Sequence, residues 1–468
     1  MNKSQRYMAR GLHLILLLWP VPMAAQYARY PKISGDVQAI EAVKMPKWVL
    51  FDTSLRMRVE SQSAINLERG NSSSYVLTRA RTGLRFQPAD RFYAYVQAQD
   101  SHALGLAPED VSPSMRDTFD LRQALVSVRA KSTQLVVGRQ PLRFADERLI
   151  GISDWTNVSR TFDGILLQTQ GSNRLSLFSA SVVNIYPGRP DRANGGLHLH
   201  GAVVALDSVL TRTSIEPFLY VQTKGNVSSP LQKKGREIEF TFGAFAAGDL
   251  PNRWFYSGTV ALQRGNLAGQ SIHAGGAIAR LGYTAKTLPL APEASVEYDY
   301  ATGSNPSRPN RQSTFDQLYP SDHNAFGLVD LFGWQNIHQV RIGATLIPAK
   351  GLSVSFQAED LHLADARDAV YGAGGAAMLV APSGGFRTDH LGAEMDLSAK
   401  YVTHGFVANA GVGHLFPGGV MSQAGKGNPL TIVFLSFTYR FKVQKRERAI
   451  ASPPRADHFV HGKESDDE

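Results

Sequence analysis

Arginines in the first part of this chain fall at alternate positions in two short runs. Arg56 and Arg58 are one residue apart, and Arg79, Arg81 and Arg85 repeat the parity further on. A guanidinium stays charged at any working pH, and its planar fork meets a carboxylate through two parallel hydrogen bonds. A period of two places such groups on one side of a β-strand. Set side by side on neighbouring strands, they make a cationic wall suited to holding an anion without covalent chemistry. Arg139, Arg148 and Arg160 follow, interleaved with Asp146, Glu147, Asp154 and Asp163. These carboxylates are expected to counter some of the guanidinia and fix their rotamers. They would also keep the positive field from trapping a passing anion. The same set reads equally as a structural charge network that pins a loop.

Other chemistries find less support. His198 and His200 share a strand face, but no nearby carboxylate or third ligand completes a metal set. Asp316, Asp322 and His323 share a long loop that lacks the ligand pattern of a calcium loop. Residues 372–377 match a loose dinucleotide pattern, yet no βαβ unit surrounds them, so a flexible loop is expected. Ser321, Asp322, His323, Asp389 and His390 are the ingredients of a hydrolase, with no spacing that sets them apart from loop residues. With no cysteine in the chain, thiolate metal sites and disulfides are excluded. No cofactor, metal or catalytic residue is expected. Nucleic acid is not expected as a partner, because the arginines are spread around the molecule without stacking aromatics.

The elements that must carry the arginines are strands. In 48–60, Val49, Phe51, Thr53, Leu55, Met57 and Val59 face one way, and Asp52, Ser54, Arg56, Arg58 and Glu60 the other. In 75–86, Val76, Ala80, Leu84 and Phe86 oppose the arginines. A face with two or three arginines per strand must meet water, so the opposite face meets lipid or a second sheet. Alternation recurs in about eighteen segments, ending with 403–414 and 431–441. Connections after even strands are short, as at 131–132 and 349–350; those after odd strands are long, as at 102–117, 142–161, 303–335 and 364–385. Such sorting by parity is what a membrane barrel requires, with short periplasmic turns and long outward loops. The fold class is therefore all-β: a single transmembrane antiparallel β-barrel. Mean hydropathy is only −0.19, as befits strands that alternate. Residues 1–25 read as a signal peptide, with Lys3, Arg6 and Arg10 before the apolar Leu12–Trp19. Residues 26–47 are expected to be irregular, 48–441 to form the barrel, and 442–468 to be a disordered, charged periplasmic tail. In the last strand Val433, Leu435, Phe437, Tyr439 and Phe441 line one face, which suits an interfacial aromatic girdle.

Several blocks resemble the alginate-export family of bacterial outer-membrane porins. They are residues 55–60 and 75–81, then Gly138-Arg139-Gln140 through Asp146-Glu147-Arg148-Leu149-Ile150-Gly151, Asp154-Trp155-Thr156-Asn157 and Arg160-Thr161-Phe162-Asp163-Gly164. A later block is Thr314-Phe315-Asp316-Gln317-Leu318-Tyr319-Pro320, with His323, Gly327 and Asp330. Two positions depart from the family's pattern: Ala145 stands where glycine is usual before Asp-Glu-Arg, and Ser304 where an aspartate is usual after Thr302-Gly303. The resemblance implies an eighteen-stranded barrel in the bacterial outer membrane and passive export of an anionic polysaccharide such as alginate. Arg56, Arg58, Arg79, Arg81, Arg85, Arg139, Arg148 and Arg160 are expected to line the pore. A porin for small anions is the alternative, and an outer-membrane enzyme a more distant one. Expected partners are the polysaccharide, outer-membrane lipids and lipopolysaccharide, the barrel-insertion machinery and a periplasmic polysaccharide-synthesis complex, with the barrel acting as a monomer.

Overall fold

The period of two runs through a computed structural model that describes residues 48–229, 233–321, 323 and 325–443, together with 38–39 and 46. Its strands are β1 (Val49–Ser63), β2 (Ser73–Ala89), β3 (Phe92–Leu104), β4 (Asp117–Ala130), β5 (Thr133–Gln140) and β6 (Phe162–Thr169). There follow β7 (Asn173–Asn184), β8 (Leu197–Leu210), β9 (Thr213–Ser228), β10 (Lys234–Asp249), β11 (Trp254–Leu267) and β12 (Gln270–Thr284). The circuit ends with β13 (Glu293–Ala301), β14 (Ile337–Ala349), β15 (Leu352–Leu363), β16 (His390–Thr403), β17 (Phe406–Pro417) and β18 (Leu430–Val443). Each pairs antiparallel with the next, and β1 pairs with β18 from Thr53↔Phe441 to Ser63↔Thr431, so the 18 strands close into a barrel. Closure leaves no strand edge, as a hydrocarbon surrounding demands of every backbone N–H and C=O.

Side chains sort by parity as the residue types dictate. On β1, Leu55, Met57 and Val59 lie exposed on the outside, while Arg56, Arg58 and Glu60 are 8%, 3% and 4% exposed on the inside. The outer surface is an aliphatic band edged with rings at the short-turn end. Trp48 and Phe86 meet edge-on at 5.1 Å, Trp254 and Tyr283 lie at 5.3 Å, and Tyr439 and Phe441 at 6.0 Å. Amphipathic rings settle at such an interface.

Loop length follows strand parity with two exceptions. A tight turn at Ala268 and Gly269, both in the left-handed region (φ 47 and 95), joins β11 to β12 on the long-loop side, and residues 285–292 make a longer turn on the other. A two-residue hairpin with both φ values positive matches the twist of the strands it joins. The glycine-rich segment 372–377 is not a free loop: it turns between Val370–Tyr371 and Ala377–Leu379, which pair as a small hairpin. The last strand reaches Val443, two residues beyond its expected end, and Gln38–Ala39 pairs in parallel with 441–442. The expected signal segment and residues 444–468 lie outside the described residues.

The barrel's inside is packed, not lined by water alone. Long loops turn inward and bring Leu149, Ile150, Phe315, Phe326, Phe332 and Trp334 against inward-facing Phe178, Phe218, Tyr220, Leu391 and Leu415. The arginine face, expected to border open water, is thereby covered by chain.

Candidate functional site in the barrel lumen

Inside the barrel the strand register sets like charges side by side. Arg56 of β1 stands directly opposite Arg79 of β2, with Ser54 opposite Arg81 and Arg58 opposite Leu77. Adjacent guanidinia repel, and the loop joining β5 to β6 supplies what holds them. Asp154 accepts from Arg79 Nη1 at 3.1 Å and from Arg81 Nη1 at 2.8 Å through the same oxygen. Arg56 donates to the carbonyl oxygens of Asp154 (2.7 Å) and Thr156 (2.9 Å) and to Asn157 Oδ1 (3.0 Å). Arg81 reaches the Val158 carbonyl at 3.2 Å and Gln99 at 2.6 Å. Arg58 donates to Glu60 and to the Trp155 carbonyl, and its guanidinium lies 3.8 Å over the Trp155 ring. That ring also stacks on His323 at 3.6 Å, itself held by Asp330 at 2.6 Å, and meets Phe434 edge-on at 4.8 Å. Arg85, nearer the short turns, makes no ion pair among the described residues and lies 3.9 Å over Tyr93.

The far wall has the opposite sign. One register row runs Arg280, Glu297, Arg341, Glu359, Glu394 across β12 to β16. It is joined by Asp299 and Asp396 and, on β10, by Glu237 and Glu239, all buried. Here the loop between β13 and β14 is held by its amides. Val329 N–H donates to Glu394 at 2.8 Å and Leu328 N–H to Asp396 at 3.0 Å. The division is electrostatic: guanidinia grip one loop by its carbonyls, and carboxylates grip the other by its N–H groups. Gly327 (φ 83) makes the second contact possible, since a Cβ there would lie 2.1 Å from Glu394. The two loops then meet. Gly151 N–H donates to the Tyr319 carbonyl and Tyr319 N–H to the Leu149 carbonyl, each at 2.8 Å.

The remaining residues of the motif fall into two groups. Arg148 crosses to the acidic wall, bonding Glu297 at 2.5 Å and Asp299 at 3.4 Å. Arg160 donates to the carbonyls of Gly151, Tyr319 and Pro320. Glu147 accepts from Ser321 Oγ at 2.7 Å, and Asp146 from the Arg148 N–H at 3.2 Å. Arg148, Arg160 and Glu147 thus join loop to wall or loop to loop, while Asp146 braces its own loop. Arg139 and Asp163 do not line the pore. Arg139 shares the parity of outward Leu135 and Val137, and Asp163 that of outward Ile165, so their two-pronged pair (2.8 and 3.0 Å) stands on the outer face. Parity alone would have excluded them.

The described residues considered for hydrolytic or metal chemistry bond mostly to neighbours outside those sets. Ser321 is bound by Glu147 and the Ser153 N–H, His323 by Asp330, and His390 by Asp360. Asp322 lies outside the described residues. His198 bonds Ser181 at 2.9 Å, and Asp316 pairs with Lys224 at 3.1 Å. Sequence reasoning passed over the acidic wall. Its signal was present in Glu237 and Glu239, Glu297 and Asp299, and Glu394 and Asp396, which show the same one-residue gap as the arginines.

Four non-glycine residues of the β5–β6 loop sit in the left-handed region: Ala145, Glu147, Ser153 and Ser159. Such strain gathers where the surroundings impose a shape. It accounts for the usual glycine at 145, where alanine (φ 48) is penalised. Ala145→Gly is expected to stabilise the folded loop by about 1 kcal/mol. Proteolysis within 141–161 should then slow about fivefold; an unchanged rate would mean that this residue's backbone carries no strain. At Ser304 the carboxylate is supplied from elsewhere, because Asp368 accepts from the Ser304 N–H at 2.7 Å and from Thr314 Oγ1 at 2.6 Å.

Comparison with known proteins agrees with this architecture. A family model described as "Alginate export" matches residues 47–429. No curated protein sequence matches. Among solved structures, OpdK of Pseudomonas aeruginosa superimposes with a TM-score of 0.59 at 9% identity, covering 84% of this chain and 98% of that one. OccAB3 of Acinetobacter baumannii gives 0.58 at 10% identity, covering 84% and 99%. OccK11 (OpdR) of P. aeruginosa gives 0.55 at 12%, covering 84% and 96%. At these identities the likeness is one of fold.

Proposed function

The chain belongs to the alginate-export family and is an outer-membrane β-barrel channel, and on that premise we propose that it exports an anionic polysaccharide of the polyuronate class. The observation that supports this reading is the cluster of Arg56, Arg58, Arg79 and Arg81 on the inner wall, met by a single loop carboxylate at Arg79 and Arg81. A polyuronate carries one carboxylate per sugar and cannot shed its water into lipid. Fixed guanidinia inside the barrel attract it, and Asp154 occupies the position a uronate carboxylate would take. Exchange of Asp154 for a polymer carboxylate frees the loop as the chain enters. Arg85 extends the set of weak contacts, and weak repeated binding lets a chain step forward. The acidic wall keeps the polymer on the basic side. The barrel acts as a monomer fed by a periplasmic synthesis complex, and the reading assigns no catalytic residue.

A second reading is a porin for small anions. The meeting of the β5–β6 and β13–β14 loops inside the barrel favours it, as does the fold shared with OpdK, a protein also solved with vanillate. Current through planar bilayers separates the two. Anion-selective conductance that added polyuronate blocks is the expected result. Conductance indifferent to the polymer supports the small-solute porin. Absent conductance with hydrolysis of lipid or peptide would overturn both.

A further inference from the structure

At the long-loop ends of β14, β15 and β16, three imidazoles and two carboxylates converge on the outer face of the barrel. His338 shares the parity of exposed Val340 and Ile342, and Asp360 and His362 that of exposed Phe356. A bulge at Gly392 (φ 155) sets His390 opposite His362. The rings of His338 and His362 stack at 5.1 Å, and those of His362 and His390 lie at 5.0 Å.

The hydrogen bonds divide this cluster into a held part and an open part. Asp360 accepts from His390 Nε2 at 2.9 Å and from His362 Nε2 at 3.2 Å. With its proton on Nε2, His362 keeps a lone pair on Nδ1. That atom is shielded from solvent, has no hydrogen-bond partner and lies 3.5 Å from Asp389 Oδ1. Two lone-pair donors at this distance repel each other unless a proton or a metal ion lies between them. The separation is close to the edge of about 3.3 Å spanned by ligands held about 2.0–2.1 Å from a tetrahedral zinc ion. His338 brings a third donor, and ligand atoms of His338, His362 and Asp389 all lie within 4.8 Å of one another. Asp360, His362 and His390 are as close, but their atoms already satisfy one another. Imidazole with carboxylate suits zinc, copper or nickel; calcium and magnesium prefer oxygen alone.

We propose that His338, His362 and Asp389 bind one divalent ion of the zinc class on the outer rim of the barrel, with solvent as the fourth ligand. Asp360 is a positioning residue that orients the His362 ring. The site lies apart from the lumen and is independent of what the channel carries.

Cobalt tests this on the full-length barrel folded in detergent, with folding verified by heat-modifiable migration in gels. One equivalent of Co²⁺ should produce the visible bands of a tetrahedral ion, and Zn²⁺ should displace it. His362→Ala and Asp389→Ala should abolish the bands, and Asp360→Asn should weaken binding about tenfold or more. His198→Ala and His390→Ala should keep them. Absence of bands in the folded wild type overturns the proposal. So does their loss in His390→Ala with retention in Asp389→Ala, which would place the ion on the other set.

Discussion

Asp154→Asn is expected to free residues 153–158 from the basic wall and to raise single-channel conductance. Asparagine keeps the shape and removes the one carboxylate bonded to Arg79 and Arg81. Arg56 and Arg79 are left directly opposed across β1 and β2, with loop carbonyls as partners. Breaking one member of a buried pair costs about 3–5 kcal/mol. That cost falls on the loop, because the strand ladders do not depend on it. Protease cleavage within 141–161 should appear while the barrel stays folded, and anion selectivity should rise with the uncovered guanidinia. Asp163→Asn, altering the outward-facing pair with Arg139, should leave conductance unchanged. A closed, protected loop in Asp154→Asn would mean that the carbonyl contacts suffice.

The pH dependence of the same loop follows from two carboxyls with opposite shifts. Burial alone would raise Asp154, but Arg79, Arg81, Arg56 and Arg122 outweigh it and hold the group well below its ordinary 3.8. Its stabilisation is therefore complete above that value and is lost as pH falls through the depressed one. Burial lifts Asp146 to about 6 against the pull of Arg148. The folded loop thus takes up a proton there before the unfolded chain does, and gains stability as pH falls from about 6 towards 3.8. Acidification from pH 7 to 5 should leave the loop in place, with opening confined to pH below about 4.

The barrel was legible because its signal is local. Alternation on β1 and β2 needs only neighbours in sequence, and the arginines fell on the inner face as their parity required. What the inner face touches was not legible. Asp154 meets Arg79 only after the β5–β6 loop folds back into the lumen, and nothing near either residue records that path. β17 begins and ends three residues later than the expected 403–414, since Tyr401 to Phe406 alternates poorly. Arg139 shows the opposite failure: its strand parity excluded it from the lumen, and the motif around it drew attention away from that. The histidines on β14, β15 and β16 are distant in sequence and adjacent only by register, which pairs His338 with His362 and His362 with His390.

Reversing Arg79 and Arg81 to glutamate is expected to abolish anion preference and polyuronate block together. The change from +2 to −2 alters the lumen by four charges on one strand. A unit charge about 4 Å from a permeating carboxylate contributes about 4 kcal/mol at an effective dielectric of about 20. A tenth of that per charge, summed over four, is about 1.6 kcal/mol and exceeds the roughly 1.4 kcal/mol of a tenfold preference. The cross-strand neighbours on β3, Gln99 and Ser101, are neutral, and on β1 Arg56 keeps its charge opposite position 79 in both wild type and variant, so the difference between them is set by β2. Asp154 would then face carboxylates, so the loop should leave the wall here as it does in Asp154→Asn. That makes the two variants a matched pair. Both uncover the lumen and raise conductance, but one leaves guanidinia behind and the other carboxylates. Reversal potentials in a salt gradient should move in opposite directions from the wild type, with Arg79→Gln/Arg81→Gln between them. If all three shift alike, loop position sets selectivity and the charge on β2 does not. An anion preference that survives in the glutamate variant, with the barrel folded, would remove these arginines from the transport path.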